Sequence, residues 1–175
     1  MLTDESIMEE DQLSILAAAI EVEKFGYDLY VNMSESVGDK RGSALLKGLA
    51  KDEKEHRRIL ETEISRISPS IDVSSIEPAK EYLKLIPNRV FPAELGGKCS
   101  TLKGEIEAVE IGIEVEQNSI KMYSEAVGLV SDVKAKAVLG ELAKWEGAHK
   151  TALEQNLHML RTEGSWYGYS PILEG

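Results

Sequence analysis

Two copies of one short motif carry the chemistry this chain could do. Glu53-Lys54-Glu55-His56 and Glu146-Gly147-Ala148-His149 each set a carboxylate three residues before an imidazole. On an α-helix, residues at that spacing share a face, about one turn apart. Two further carboxylates, Glu23 and Glu116, end two copies of Ile-Glu-Val-Glu. At roughly 100° per residue, Glu53 and His56 fall within about 40° of Leu49, in the middle of an apolar stripe. Glu146 and His149 take the same places about Leu142, and Glu23 and Glu116 border the stripes of their own helices. Acids and imidazoles therefore point where burial should be deepest. An unpaired buried carboxylate either pays a large desolvation cost or takes up a proton. Four carboxylates carry four negative charges, and two divalent cations would offset them.

Taken singly, each feature has an ordinary explanation. One Glu-x-x-His is usually a surface pair, a buried histidine is usually a hydrogen-bonded core residue, and Glu-Val-Glu is usually a solvated face. The joint pattern is harder to dismiss, because all the pairs share one offset. Ile20-Glu21-Val22-Glu23 recurs at 113–116, Tyr30 at Tyr123, Leu49-Ala50-Lys51 at 142–144, and Leu60-Glu61 at 153–154, always 93 residues on. Between residues 20 and 61, 16 of 42 positions are identical to their partners without a gap. That reads as a duplicated helical hairpin.

The elements that must position these residues follow from the same pattern. Leu13, Leu16, Ile20, Tyr27 and Val31 recur at helical steps and predict a helix over about 10–36. Gly38 and Asp39 punctuate it, with Asp39 as the cap of a second helix over about 40–67. The second half mirrors this with helices over about 103–130 and 133–162, Ser131 or Asp132 capping the latter. The stretch of about 68–102 holds Pro69, Pro78, Pro87, Pro92 and Gly96-Gly97, with a short helix expected over Glu77 to Ile86. A connection of that length can travel the height of a bundle. The expected fold is all-α: a single ferritin-like four-helix bundle over 1–175, built from two antiparallel hairpins and one long crossover. Two independent domains joined by a linker are the other reading, but a lone hairpin buries too little to stand alone. Bundles that bind two iron or two manganese ions use one Glu from each of two helices and Glu-x-x-His from each of the other two. This sequence supplies all six.

Composition narrows the remaining classes. Twenty basic against 31 acidic residues leave a net charge of −11, which argues against nucleic acid and anionic membranes as partners. A single cysteine, Cys99, excludes an internal disulfide and paired-cysteine metal sites, and it is assigned no chemistry. The absence of a long apolar run and the acidic start argue against a membrane span and a signal peptide, so the cytoplasm is the expected compartment. Tyr30 and Tyr123 read either as core aromatics or as residues beside the metals that bond a ligand carboxylate. His158 reads as surface, Trp145 as helix-interface packing, and Asp52–Arg58 and Glu105–Glu110 as mostly solvated runs. The aromatic tail after Thr162, with Trp166, Tyr167 and Tyr169, is expected to be non-helical and to pack on something, a neighbouring subunit being one option.

Ala18-Ala19-Ile20-Glu21-Val22-Glu23-Lys24 with Tyr30, and Leu49-Ala50-Lys51-Asp52-Glu53-Lys54-Glu55-His56, resemble the rubrerythrin branch of the ferritin-like superfamily. Glu116, Tyr123, Glu146 and His149 carry the resemblance through the second half. It implies Glu23 and Glu116 as terminal ligands, Glu53 and Glu146 as bridging ligands, and His56 and His149 as terminal imidazoles. It further implies two iron ions, with manganese or zinc as alternatives, and an oxidoreductase that reduces peroxide or O2 or oxidises ferrous iron. An iron-binding or storage protein without turnover and a di-manganese catalase-like enzyme are the other readings. The expected partners are peroxide or O2, a separate electron donor and a second copy of the chain in a homodimer. Two departures qualify the resemblance. Ser119 stands where rubrerythrins usually carry a further Glu, and no rubredoxin-like CxxC pair is present.

Overall fold

The computed structural model describes residues 4–84 and 101–168, with side chains from residue 11 onward. The remainder of the expected crossover, including Pro87, Pro92, Gly96-Gly97 and Cys99, lies outside the described residues, as does Tyr169. Four long helices dominate: α1 (Asp4–Ser36), α2 (Lys40–Ile67), α4 (Leu102–Leu129) and α5 (Val133–Glu163). Among the described residues between the two pairs lie a 3₁₀ turn (Val73–Ser75) and a one-turn helix, α3 (Lys80–Leu83). No strand occurs among the described residues, and no described helix is long and apolar enough to cross a membrane.

The caps explain the boundaries. The Asp39 carboxylate accepts from the backbone N–H groups of Arg41 and Gly42 at the start of α2. Of the two candidates for the start of α5, Asp132 is the cap; it accepts from Ala135 N at 2.9 Å. Thr101 does the same for α4, and Gly164, at φ 66°, closes α5 in the left-handed region that glycine tolerates best. Two expectations need correcting. α1 begins at Asp4 rather than near residue 10. The short helix expected from Glu77 is one turn starting at Lys80, because Glu77 O and Ala79 N are already committed to Ser14 of α1.

α1 packs along α2 and α4 along α5, and the pairs meet through α1 against α4 and α2 against α5. The core forms two apolar layers. One contains Leu16, Ile20, Leu60, Met122, Leu139 and Leu142; the other contains Met33, Leu45, Leu49, Ala108, Val115 and Leu153. On every long helix the candidate residues fall between these layers in sequence: Glu23, Glu53 with His56, Glu116, and Glu146 with His149. The fold sandwiches one polar stratum between two dry ones.

The start of the tail packs on its own chain, which corrects the expectation of a neighbouring subunit for Trp166. Its ring is buried over Gly42, where an added Cβ would stand only 2.5 Å from the indole. Its Nε1 donates to Glu105 at 3.1 Å, so Glu105 is buried rather than solvated. Asn156 Oδ1 accepts from Tyr167 N and Gly168 N and holds the segment down, while the Tyr167 side chain stays exposed.

Candidate metal centre

All six expected residues are brought together, and each is at most 4% exposed. Their side chains fall into two groups of four. One ligand atom each from Glu23, Glu53, His56 and Glu146 lie within 4.8 Å of one another, and so do atoms from Glu53, Glu116, Glu146 and His149. Glu53 and Glu146 belong to both groups. Each histidine turns Nδ1 inward. His56 Nδ1 is 2.9 Å from Glu146 and 3.4 Å from Glu23; His149 Nδ1 is 3.1 Å from Glu146 and 3.3 Å from Glu53.

The geometry fits a cation better than a hydrogen-bonded network. Buried polar atoms normally find a partner. Here Glu23 Oε2, His56 Nδ1 and Glu146 Oε1 make no hydrogen bond, although they crowd one another. His56 Nδ1 and Glu146 Oε1 are close enough to bond but are not aligned to do so. Atoms with lone pairs converging on one point, without bonding each other, are what a bound ion would satisfy. Oxygen and nitrogen donors without thiolate suit iron, manganese or zinc.

Electrostatics describe how the stratum is neutralised by protons alone. Burial, then the neighbouring carboxylates, raises Glu23 and Glu116 well above the usual carboxylate range. Burial also opposes ionisation of Glu53 and Glu146, but the facing histidines and the neighbouring Glu23 and Glu116 carboxyl groups outweigh it and hold both low. Burial opposes charging of the histidines too. Contacts with Glu146, Glu23 and Glu53 nevertheless push His56 up to about 12, and Asp52, Glu116 and Glu146 raise His149. Two acids held low thus face two histidines held high, so bound protons take up part of the neutralising that cations would do.

The surrounding contacts cross between the hairpins. The Tyr30 hydroxyl on α1 donates to Glu116 on α4, and the Tyr123 hydroxyl on α4 donates to Glu23 on α1. Burial, then the charge of Glu116, raises Tyr30 well above an ordinary phenol, so it remains a donor. Sequence reading missed two more neighbours. Asp52 Oδ2 stands 3.5 Å from His149 Nε2, on the far side of that ring from the carboxylates. Trp145 stacks on His56 with ring centroids 5.3 Å apart, and His56 stacks in turn on His149 at 5.4 Å. The 93-residue offset carried the signal, since it pairs Asp52 with Trp145 inside otherwise matching Lys-x-Glu-x-x-His segments. Glu21, on the other side of α1, instead pairs with Lys24 at the surface, and Glu114 and His158 are exposed.

A cavity of about 390 Å³ opens on the α1–α2 face and reaches the centre. Glu23 and Glu53 form its floor, and Lys24, Tyr27, Lys54 and Arg57 form its walls and rim. A larger groove of about 510 Å³, lined by Ile20, Arg57 and Ile76 among others, touches none of the six residues.

A family model described as Rubrerythrin matches residues 14–157. No curated protein matches significantly. Among solved structures, the chain is similar to a hypothetical protein from Pyrococcus furiosus, at 17% identity and a TM-score of 0.68, covering 87% of this chain and 91% of that one. It is also similar to a two-domain protein from Anabaena variabilis containing DJ-1/ThiJ/PfpI-like and ferritin-like domains, at 18% identity and a TM-score of 0.64. That match covers 94% of this chain but 43% of the other, so this chain spans less than half of the two-domain protein.

Proposed function

The chain belongs to the rubrerythrin family, and from that premise we propose that its polar stratum holds two iron ions and reduces peroxide or O2. One observation carries the reading: the two four-residue groups share Glu53 and Glu146, so these two carboxylates would serve both ions of a pair. Two ferrous ions would supply one electron each, which is the two-electron demand of an O–O bond. The residues do the rest. Glu23 with His56 and Glu116 with His149 complete the two ends. Tyr30 and Tyr123 hold the terminal carboxylates in place through their hydroxyls. The apolar layers above and below keep bulk water out, and the α1–α2 cavity admits a small molecule to Glu23 and Glu53. Sustained turnover calls for a separate electron donor.

The test is anaerobic loading with Fe(II), followed by rapid mixing with H2O2 or O2 and absorbance detection. The expected outcome is two irons per chain, oxidised together at a rate well above that of free Fe(II). Two bound irons that oxidise no faster than the free ion would instead favour a binding protein without turnover. Activity with manganese only would favour the catalase-like alternative.

A further inference from the structure

The two halves of the centre are not built alike, and the offset of 93 residues makes the differences exact to the position. Behind His149 stands Asp52, a carboxylate 3.5 Å from Nε2. Its counterpart in the repeat is Trp145, which stacks on the face of the His56 ring and, as an indole, offers a donor but no acceptor. A carboxylate that accepts from the outer imidazole N–H fixes the tautomer and makes the inner nitrogen a stronger ligand. An indole on the ring face cannot do the same for His56.

Access differs in the same sense. A cavity ends on Glu23 and Glu53, and Gly26 is buried beside Glu53, where an added Cβ would stand 3.3 Å from Glu53 Cδ. Its counterpart is Ser119, buried, with its hydroxyl turned back to Val115 O at 3.1 Å. Among the described residues, the groove on that side is a surface feature of α4, lined by Glu110, Ile113, Glu114, Gln117, Ile120 and Lys121, and it reaches neither Glu116 nor Glu146.

From these two observations, and resting on the dinuclear reading above, we propose that the two metal positions are functionally unequal. The Glu116–His149 position, backed by Asp52, is the tight anchor. The Glu23–His56 position, beneath the cavity lined by Tyr27, is the one through which ions and small oxidants exchange. Asp52 is thus a positioning residue, and Tyr27 sets the width of the passage.

Stepwise titration of metal-free protein with Co(II), followed by calorimetry and by the visible bands of the bound ion, tests this. Two steps separated by about 10- to 100-fold in affinity are expected, the range that a partner behind a ligating histidine typically controls. Asp52→Asn should weaken the first step by a similar factor and leave the second nearly unchanged, and Asp52→Glu should restore much of the loss. Trp145→Asp should strengthen the second step. In the loaded protein, Tyr27→Ala should speed loss of the weaker ion to a chelator, with the tight ion unaffected. Two equal steps in the unaltered protein, or variants that shift both ions alike, would overturn the proposal while leaving the dinuclear centre standing. Binding of a single ion, or none, would overturn the dinuclear reading itself.

Discussion

The α1–α2 hairpin and the α4–α5 hairpin are copies that kept one thing and let the rest diverge. Glu23, Tyr30, Glu53 and His56 match Glu116, Tyr123, Glu146 and His149 position for position. Around them, Gly26 faces Ser119, Gly42 faces Ala135, and Asp52 faces Trp145. Each difference has a local physical use. Gly26 leaves room beside Glu53, Gly42 seats the Trp166 ring, and Asp52 backs a histidine that its counterpart cannot back. The comparison teaches that the inward acids and imidazoles constrain one another, since removing one leaves uncompensated buried charge. Their neighbours answer only to local space and were free to specialise.

The comparison breaks most completely at the shared carboxylates. Glu53→Ala or Glu146→Ala removes a residue common to both four-residue groups, so either is expected to abolish the two-ion stoichiometry measured by elemental analysis. Two ions per chain in either variant would show that the halves do not share ligands.

Gly42→Ala sharpens the contrast at the tail. A Cβ 2.5 Å from a fully packed indole is overpacking, expected to cost about 1–3 kcal/mol and to expose Trp166 to solvent. The opposite change in the other half, Ala135→Gly, costs only about 1 kcal/mol through helix propensity. Thermal melts and tryptophan fluorescence check both.

The protons of the centre predict how pH acts on both halves together. Glu23, Glu116, His56 and His149 all carry raised values, so each keeps its proton to higher pH than the free group does, and a metal ion must displace it. Affinity is expected to rise with pH, with up to about four protons released per pair of ions. Calorimetry in buffers of different ionisation enthalpy measures that number. The metal-free protein should behave oppositely. Its folded state holds protons that the unfolded chain releases, so stability falls as pH rises. The imidazolium contribution of His56 is complete below about 6.5 and lost as pH climbs toward its folded value of about 12. Melting temperatures that increase from neutral to alkaline pH would contradict this.

Smaller effects follow at the hydroxyls. Tyr30→Phe and Tyr123→Phe each remove one hydrogen bond to a buried carboxylate, expected to weaken metal binding by about 1–2 kcal/mol. Because the donors cross between hairpins, Tyr30→Phe should loosen the Glu116 end and Tyr123→Phe the Glu23 end. The smallest change is expected at Glu21→Ala and Glu114→Ala, repeated residues that point outward. Stability should shift by less than about 0.5 kcal/mol, with metal content unchanged by elemental analysis.

Much of this was legible in the sequence because local rules wrote it. Helical periodicity marked α2, α4 and α5 to within a residue or so and α1 except for its start, Asp39 announced one cap and the pair Ser131 and Asp132 offered the other, and the 93-residue offset exposed the duplication. The placement of Glu53, His56, Glu146 and His149 on apolar stripes followed from helix geometry alone, as did the outward turn of Glu21. Tertiary structure decided the rest. A helical wheel places Tyr30 near Glu23, yet its hydroxyl reaches Glu116 across the bundle. Asp52 reads as a solvated charge until α5 brings His149 to it, and Glu105 until Trp166 folds back onto α2. Periodicity tells which way a side chain points from its own helix, but a partner on another helix depends on how the helices are stacked, and that is a property of the packed whole.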